Sequence, residues 1–283
     1  MIKVGMNLLL WSDNPSFAQH GQLLDKCKQI GFDGVEFNVG LISDMEECRR
    51  FGAHAGELGL DVTTVGVFNP AECNPISPDP ALRRASFPVF KDYIDRTLAF
   101  GGKLICGPFY QGLGYFSGAR PSKQEWDWSV EAMRPGFEYA HEKGVTVAVE
   151  PLNRFEVHLI NTVQTAVDYV QEFGMDNVGL LVDTMHANIE ELDLAQSFRK
   201  ALPWIKHVHI SENDRGIPGA GHACGQDVFD VFKQGGYDGY LTIEAFNLGA
   251  PSFTGALHLW RTFAPSDDML AKQGHDYIRK CLA

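Results

Sequence analysis

Several kinds of signal are missing from this chain of 283 residues. No stretch approaches the roughly 20 apolar residues that span a bilayer, so no membrane helix is expected. No Lys/Arg run is present, and 24 basic residues stand against 36 acidic ones. The resulting formal charge of -12 repels phosphate backbones and anionic headgroups, which argues against nucleic-acid and membrane partners. The opening MIKVGMNLLLWSDN carries one Lys and an apolar stretch too short for a signal peptide. Six cysteines, at 27, 48, 73, 106, 224 and 281, lack CxxC spacing, a pattern that fits reduced thiols in a cytoplasmic protein better than a disulfide framework. No GxGxxG follows the first apolar run and no GxSxG occurs, so neither a nucleotide cofactor nor a serine nucleophile is expected. What remains is ordinary globular material: 45% of residues are hydrophobic and 21% charged, enough for a large core.

That material is ordered by period. Short β-branched apolar runs at Lys3 to Leu8, Gly34 to Asn38, Asp61 to Val67, Lys103 to Gly107, Val145 to Glu150, Val178 to Asp183, Ile205 to Ile210 and Tyr240 to Glu244 read as strands. Between them, amphipathic stretches read as helices near Phe17 to Ile30, Met45 to Leu58, Pro80 to Phe100, Lys123 to Lys143, Thr162 to Phe173, Asn188 to Leu202, Asp227 to Gln234 and Ser266 to Leu282. Joints such as IGFDGVEF, LGLDVTTV and KGVTVAVE end a helix at Gly and start a strand soon after. Strand-helix alternation means right-handed βαβ units and a parallel sheet, and eight units favour closure. The expected fold is a single (β/α)8 TIM barrel occupying residues 1–283 as one catalytic domain, since about 250 residues is typical of that fold. The longest irregular pieces, Asn69 to Asp79 and Phe109 to Ser122, follow strands three and four and are expected over the catalytic mouth as lids.

Four chemistry-bearing side chains stand at the ends of the last four strand runs: Glu150 in VTVAVE, Asp183 in VGLLVD, His209 in HVHI and Glu244 in YLTIE. In a parallel barrel such ends converge on one mouth. Three carboxylates and an imidazole are hard-to-borderline donors that suit Mn²⁺, Mg²⁺ or Co²⁺, and the lack of a Cys ligand argues against structural zinc. His186 stands three residues past the sixth strand, Arg215 in the loop after the seventh, and Glu156 six residues past Glu150. A guanidinium so placed can hold substrate oxygens and offset charge on an enediolate. The bland alternatives are a packed, hydrogen-bonded His186 and a surface ion pair between Arg215 and Glu156.

At these motifs the chain resembles the ketose 3-epimerases (D-tagatose and D-psicose, or D-allulose, 3-epimerases) of the xylose-isomerase-like barrels. VEPLNRFE, LLVDTMHANIEE, HVHISENDRGIPGAGH and LTIEAF look like that family's last four strand signatures, and the likeness runs from GMNLLLW to the C-terminal helix. The resemblance implies that Glu150, Asp183, His209 and Glu244 bind a divalent metal, usually Mn²⁺, and that Glu150 and Glu244 are also the acid/base pair at C3. It further implies that Glu156, His186 and Arg215 hold O1 and O2 of a ketose, with Trp11 and Phe246 as an apolar wall for its far end. Barrels of this family commonly pair, so a homodimer or homotetramer is expected. Departures fall where substrate is chosen: Asn7, Pro15 and Leu113 stand where the tagatose epimerases commonly have aromatic residues, and EAF replaces EPF after strand eight. Asn7 is therefore expected to grip the C4 to C6 end by polar contacts.

The chemistry agrees with this. The C2 carbonyl of a ketose acidifies the C3 hydrogen, and two carboxylates on opposite faces can take a proton from one side of a cis-enediolate and return one to the other. Competing readings are an aldose-ketose isomerase, and an epimerase of a keto-sugar acid, inositol derivative or 3-keto-glycoside. A repair endonuclease would need a basic face, and a non-catalytic sugar-binding barrel would not need both glutamates. Phosphorylated sugars are less expected, since only the short GIPGAGH resembles a phosphate cradle. Phe253, Leu257, Leu259 and Trp260, after strand eight, read as interface, lid or extra-helix residues.

Overall fold

In the computed structural model, which describes residues 1–283, each apolar run forms a strand: β1 (Lys3–Asn7), β2 (Gly34–Asn38), β3 (Asp61–Val65), β4 (Leu104–Gly107), β5 (Thr146–Val149), β6 (Val178–Asp183), β7 (Ile205–Ile210) and β8 (Tyr240–Ile243). Neighbours pair in parallel in chain order, and β8 pairs with β1, so no strand keeps an open edge. This is a single (β/α)8 barrel. The helices are α1 (Phe17–His20), α2 (Gln22–Ile30), α3 (Met45–Leu58), α4 (Pro80–Ala99), α5 (Lys123–Glu142), α6 (Val163–Gln171), α7 (Thr184–Glu190), α8 (Leu194–Ala201), α9 (Gln226–Gln234) and α10 (Asp267–Leu282). Asp44, Asp79, Ser122, Thr162, Asp193 and Ser266 cap α3, α4, α5, α6, α8 and α10 through their side chains. Gly31 and Gly59 end α2 and α3 at φ of 110° and 64°, conformations that a side chain disfavours.

Two helical expectations are corrected. The stretch Phe17 to Ile30 is broken at Gly21 into α1 and α2. The stretch from Asn188 to Leu202 hides two helices, because Asp183 caps a short α7 that ends at Glu190, before Asp193 starts α8. That extra helix matters for function, since it carries His186.

The main apolar core lies between strands and helices, where Phe37 stacks on Phe100 with ring centroids 4.5 Å apart and touches Phe51. Inside the barrel, a smaller apolar plug of Val65, Cys106, Ala148 and Leu181 is flanked by the buried polar residues Asn7, Glu36, Thr63, His207 and His209. Above the mouth, a bridge between Phe68 and Gly112 ties together the loops after β3 and β4. The segment after β8 forms a 3-10 turn at Pro251–Phe253; Leu259 is buried with Leu9 and Phe246, and Phe253 and Leu257 pack on that cluster. Trp260 stays 74% exposed.

Candidate active site at the barrel mouth

Alternation along a strand sends every second side chain into the barrel, and this brings Asp183, His209 and Glu244 to one place at the end of β6, β7 and β8. Glu150 joins them one residue beyond β5, its backbone N–H donating to Gly107 O at 3.0 Å. One ligand atom from each of the four lies within 4.8 Å of every other, and all four residues are buried. Asp183 is held by its own helix: Oδ1 accepts from the N–H groups of Met185 (2.7 Å) and His186 (3.0 Å), which leaves Oδ2 turned to the centre.

The electrostatics of this cluster are those of a group that could hold a cation. Burial pushes Glu150 well above the usual carboxylate range, with Glu244 and Asp183 adding to it against the pull of His209 and Arg215. Burial likewise raises Asp183 to about 6, although Arg215 opposes it. Glu244 is the exception: burial works to raise it, but Arg215 and His209 outweigh this and hold it at about 2. Three carboxylates in one dry pocket have only Arg215 and His209 to compensate them. The histidine says the same in geometric terms. His209 Nδ1 is buried without any hydrogen-bond partner and faces Glu244 Oε1 at 3.7 Å and Asp183 Oδ2 at 3.9 Å. A proton on Nδ1 or a metal ion can occupy the space between these three atoms, and three carboxylates with one imidazole are a donor set that fits a divalent ion.

Above the cluster, Arg215 Nη1 donates to Glu244 Oε2 (2.5 Å), Ser211 Oγ (3.0 Å) and Asp183 Oδ2 (3.3 Å). Its backbone adopts a left-handed φ of 64°, rare for a side-chain-bearing residue and typical of a geometry held for function. The surface ion pair with Glu156 is thereby replaced by a buried pairing with the carboxylates of Asp183 and Glu244. His186 Nδ1 accepts from the backbone N–H (3.2 Å) and Nδ2 (2.8 Å) of Asn153, so its neutral ring carries hydrogen on Nε2. Burial, reinforced by Arg215, keeps that ring neutral by holding its pKa well below the ordinary value. Arg215 Nη2 lies 3.0 Å from His186 Nε2, and both residues line the cavity. Asn153 Nδ2 also donates to Glu156 Oε1 at 2.9 Å.

The cavity over the cluster measures about 570 Å³, and Glu150, Glu156, His186, Arg215, Glu244, Phe246 and Leu113 all line it. Asn69, Pro70 and Glu72 from the loop after β3, and Phe253 and Leu257 from the segment after β8, complete its rim.

The profile of the Xylose isomerase-like TIM barrel family matches residues 24–281. A D-psicose 3-epimerase of Ruminiclostridium cellulolyticum is 30% identical over 260 residues, covering 89% of this chain and 86% of that protein. A 3-dehydro-D-guloside 4-epimerase of Escherichia coli is 30% identical over 231 residues, covering 77% and 83%. The crystal structure of a D-allulose 3-epimerase from Methylomonas in complex with D-allulose superimposes with a TM-score of 0.90 at 28% identity, covering 99% of this chain and 96% of that one. The chain belongs to the ketose 3-epimerases of the xylose isomerase-like barrel family. It is thus a carbohydrate isomerase by class.

Two expected sugar contacts of this epimerase are corrected. Asn7 does not line the cavity: its Nδ2 donates to Glu36 Oε1 (3.0 Å) and its Oδ1 accepts from Leu9 N–H (3.0 Å), both inside the barrel. Trp11 is not among the residues lining the cavity, and it donates Nε1–H to Asp268 Oδ1 at 2.7 Å with Lys26 over its ring. Sequence reading also passed over Glu36, Asn153 and Ser211. Glu36 was detectable as an acidic residue in the middle of a buried strand, GVEFN. Asn153 was in view inside VEPLNRFE, but nothing local marked it as the partner of a histidine from another strand-loop unit.

Proposed function

We propose that the chain epimerises free ketoses at C3, D-psicose, D-fructose, D-tagatose or L-ribulose among them, with a divalent ion held by Glu150, Asp183, His209 and Glu244. The observation that carries this reading is the convergence of both glutamates, His186 and Arg215 on one cavity. Glu150 and Glu244 approach from β5 and β8, and in this reading one takes the C3 proton while the other delivers a proton to the opposite face. His186 Nε2–H and Arg215 Nη2–H receive the C2 oxygen and offset its growing negative charge. Glu156, fixed by Asn153, accepts from the terminal hydroxyl, and Phe246 and Leu113 exclude water from the far end. When bound, the ion supplies Lewis-acid stabilisation of the charge that develops next to C3. Mn²⁺ suits this oxygen-rich donor set, with Co²⁺ and Mg²⁺ as substitutes.

The same reading takes the closed barrel as one catalytic domain and the enzyme as a cytoplasmic homodimer or homotetramer. No helix is long and apolar enough to cross a membrane, and exposed Trp260 is the first place to seek an interface.

A second reading is favoured by the relative from E. coli: inversion at C4 beside a C3 keto group uses the same acid/base pair with the sugar shifted by one carbon. Incubation in D₂O with a panel of free ketoses and 3-keto-glycosides separates them. Deuterium at C3 of a ketose supports the first reading, deuterium at C4 of a 3-keto sugar the second, and exchange into neither sinks both.

A further inference from the structure

Below the proposed metal site, Glu36 sits at the centre of the barrel, fully buried. Its Oε1 receives Asn7 Nδ2 at 3.0 Å and His209 Nε2 at 2.7 Å; its Oε2 receives Thr63 Oγ1 at 3.0 Å and His207 Nε2 at 2.8 Å. Cys106 Sγ adds a weak contact at 3.6 Å. Amide and hydroxyl partners donate here, so the carboxyl acts as an acceptor, and each ring must present N–H to it. For His209 this turns the other ring nitrogen, Nδ1, toward Asp183 and Glu244.

Glu36, Cys106, His207 and His209 form a second group whose donor atoms lie within 4.8 Å of one another. The spacing excludes a second ion as their occupant. Ligands bound at about 2.1 Å lie about 3.0–3.4 Å apart at octahedral or tetrahedral angles. The gaps between Glu36 and the two histidines, 2.8 and 2.7 Å, are filled by protons. The gaps of 3.7 and 3.9 Å on the opposite side of His209 leave room for a cation.

We propose that Glu36 is a positioning residue for the metal centre: by accepting the Nε2–H of His209 it fixes the tautomer and plane of that ring, so that Nδ1 is the ligand atom. The proposal rests on the reading of Glu150, Asp183, His209 and Glu244 as a metal site. Removing a carboxylate that orients a metal-binding imidazole weakens affinity by about 10–100-fold in other proteins.

The test measures Mn²⁺ binding by titration calorimetry on chelator-treated protein. Glu36→Gln, which keeps shape and loses the charge, is expected to weaken Kd at least tenfold, and Thr63→Val, which removes another donor to Glu36 without touching His209, is expected to change it less than threefold. Histidine ¹⁵N spectra of the wild type loaded with diamagnetic Mg²⁺ are expected to show His209 protonated at Nε2 and not at Nδ1. Uptake by Glu36→Gln with the wild-type Kd overturns the role of Glu36 alone, and so does a wild-type His209 protonated at Nδ1, a result that needs no variant to fold. Failure of the wild type to bind Mn²⁺ overturns the metal reading beneath it.

Discussion

His209 has two faces, and the environments on them make opposite uses of buried charge. On the lumen side, every oxygen of Glu36 is matched by hydrogen-bond donors, and its pKa is well below the usual range: burial would raise it, but His209 and His207 prevail. On the mouth side, Glu150 and Asp183 are displaced upward and His209 Nδ1 has no partner. His207 also leaves Nδ1 unpartnered, but no carboxylate oxygen lies within 4.0 Å of it. Both regions are dry and acidic, so composition does not separate them. The lumen is complete within the chain, whereas the mouth gathers three carboxylates and an unpartnered imidazole nitrogen that a cation would complement. Incompleteness of that kind marks where a ligand enters.

Substitutions and solution conditions should divide along the same line. The largest effect is expected at the mouth: Glu150→Gln or Glu244→Gln should lower kcat by about 10²–10⁴-fold with an unchanged circular dichroism spectrum. An undiminished rate in either variant would remove that residue from the chemistry. Next comes the cation. Chelation should abolish turnover, and Mn²⁺ at about 100 times its Kd should return about 2.7 kcal/mol of stability, a rise in melting temperature of about 5–10 °C. Turnover persisting in protein shown to be metal-free would break the comparison.

The dependence on pH has a definite sign. Glu150 and His209 are raised, the histidine because Glu36 and Glu244 overcome its burial, and Asp183 lies at about 6. At each of these groups a metal ion competes with a proton as the pH falls, whereas Glu244, at about 2, stays ionised throughout. Mn²⁺ affinity measured by calorimetry should therefore fall at least tenfold between pH 8 and pH 5.5; a flat profile would mean these groups do not ligate. Smaller effects should follow from residues that turned out to lie outside the cavity. Asn7→Ala should destabilise by about 1–3 kcal/mol in urea denaturation, having lost a buried donor to Glu36, and leave the ranking of ketoses unchanged. Leu113→Phe, inside the cavity, should alter that ranking. Trp11→Phe removes an exposed hydrogen bond to Asp268, so it should shift stability by less than about 1 kcal/mol and kinetics not at all.

How much of this was legible beforehand follows from the range of each interaction. Strand periodicity and Gly stops are local, and they placed β2, β6 and β7 to the residue and set the parity that sends Asp183, His209 and Glu244 inward. The second half of the fifth-to-eighth strand pattern likewise announced four donors at one barrel end. Helix α7 was missed because its cap, Asp183, was already claimed as a ligand, and one carboxylate can cap with Oδ1 and still turn Oδ2 to the centre of the cluster. Asn7 and Trp11 were misplaced because residue type and position along the chain do not say which neighbour will claim a polar group first.

The amino-acid order alone thus determined the eightfold alternation, the closed barrel it favours, and the identity of the residues gathered at its mouth, because periods of two and 3.6 act over a few positions. Only the tertiary structure decided that Glu36 reaches His209 across the lumen, that Asn153 orients His186, and that Arg215 pairs with Glu244 and Asp183 and leaves Glu156 to Asn153. Those choices depend on distances between chain segments up to 173 positions apart, and on the desolvation that makes each buried polar group take the nearest partner that closure of the barrel provides.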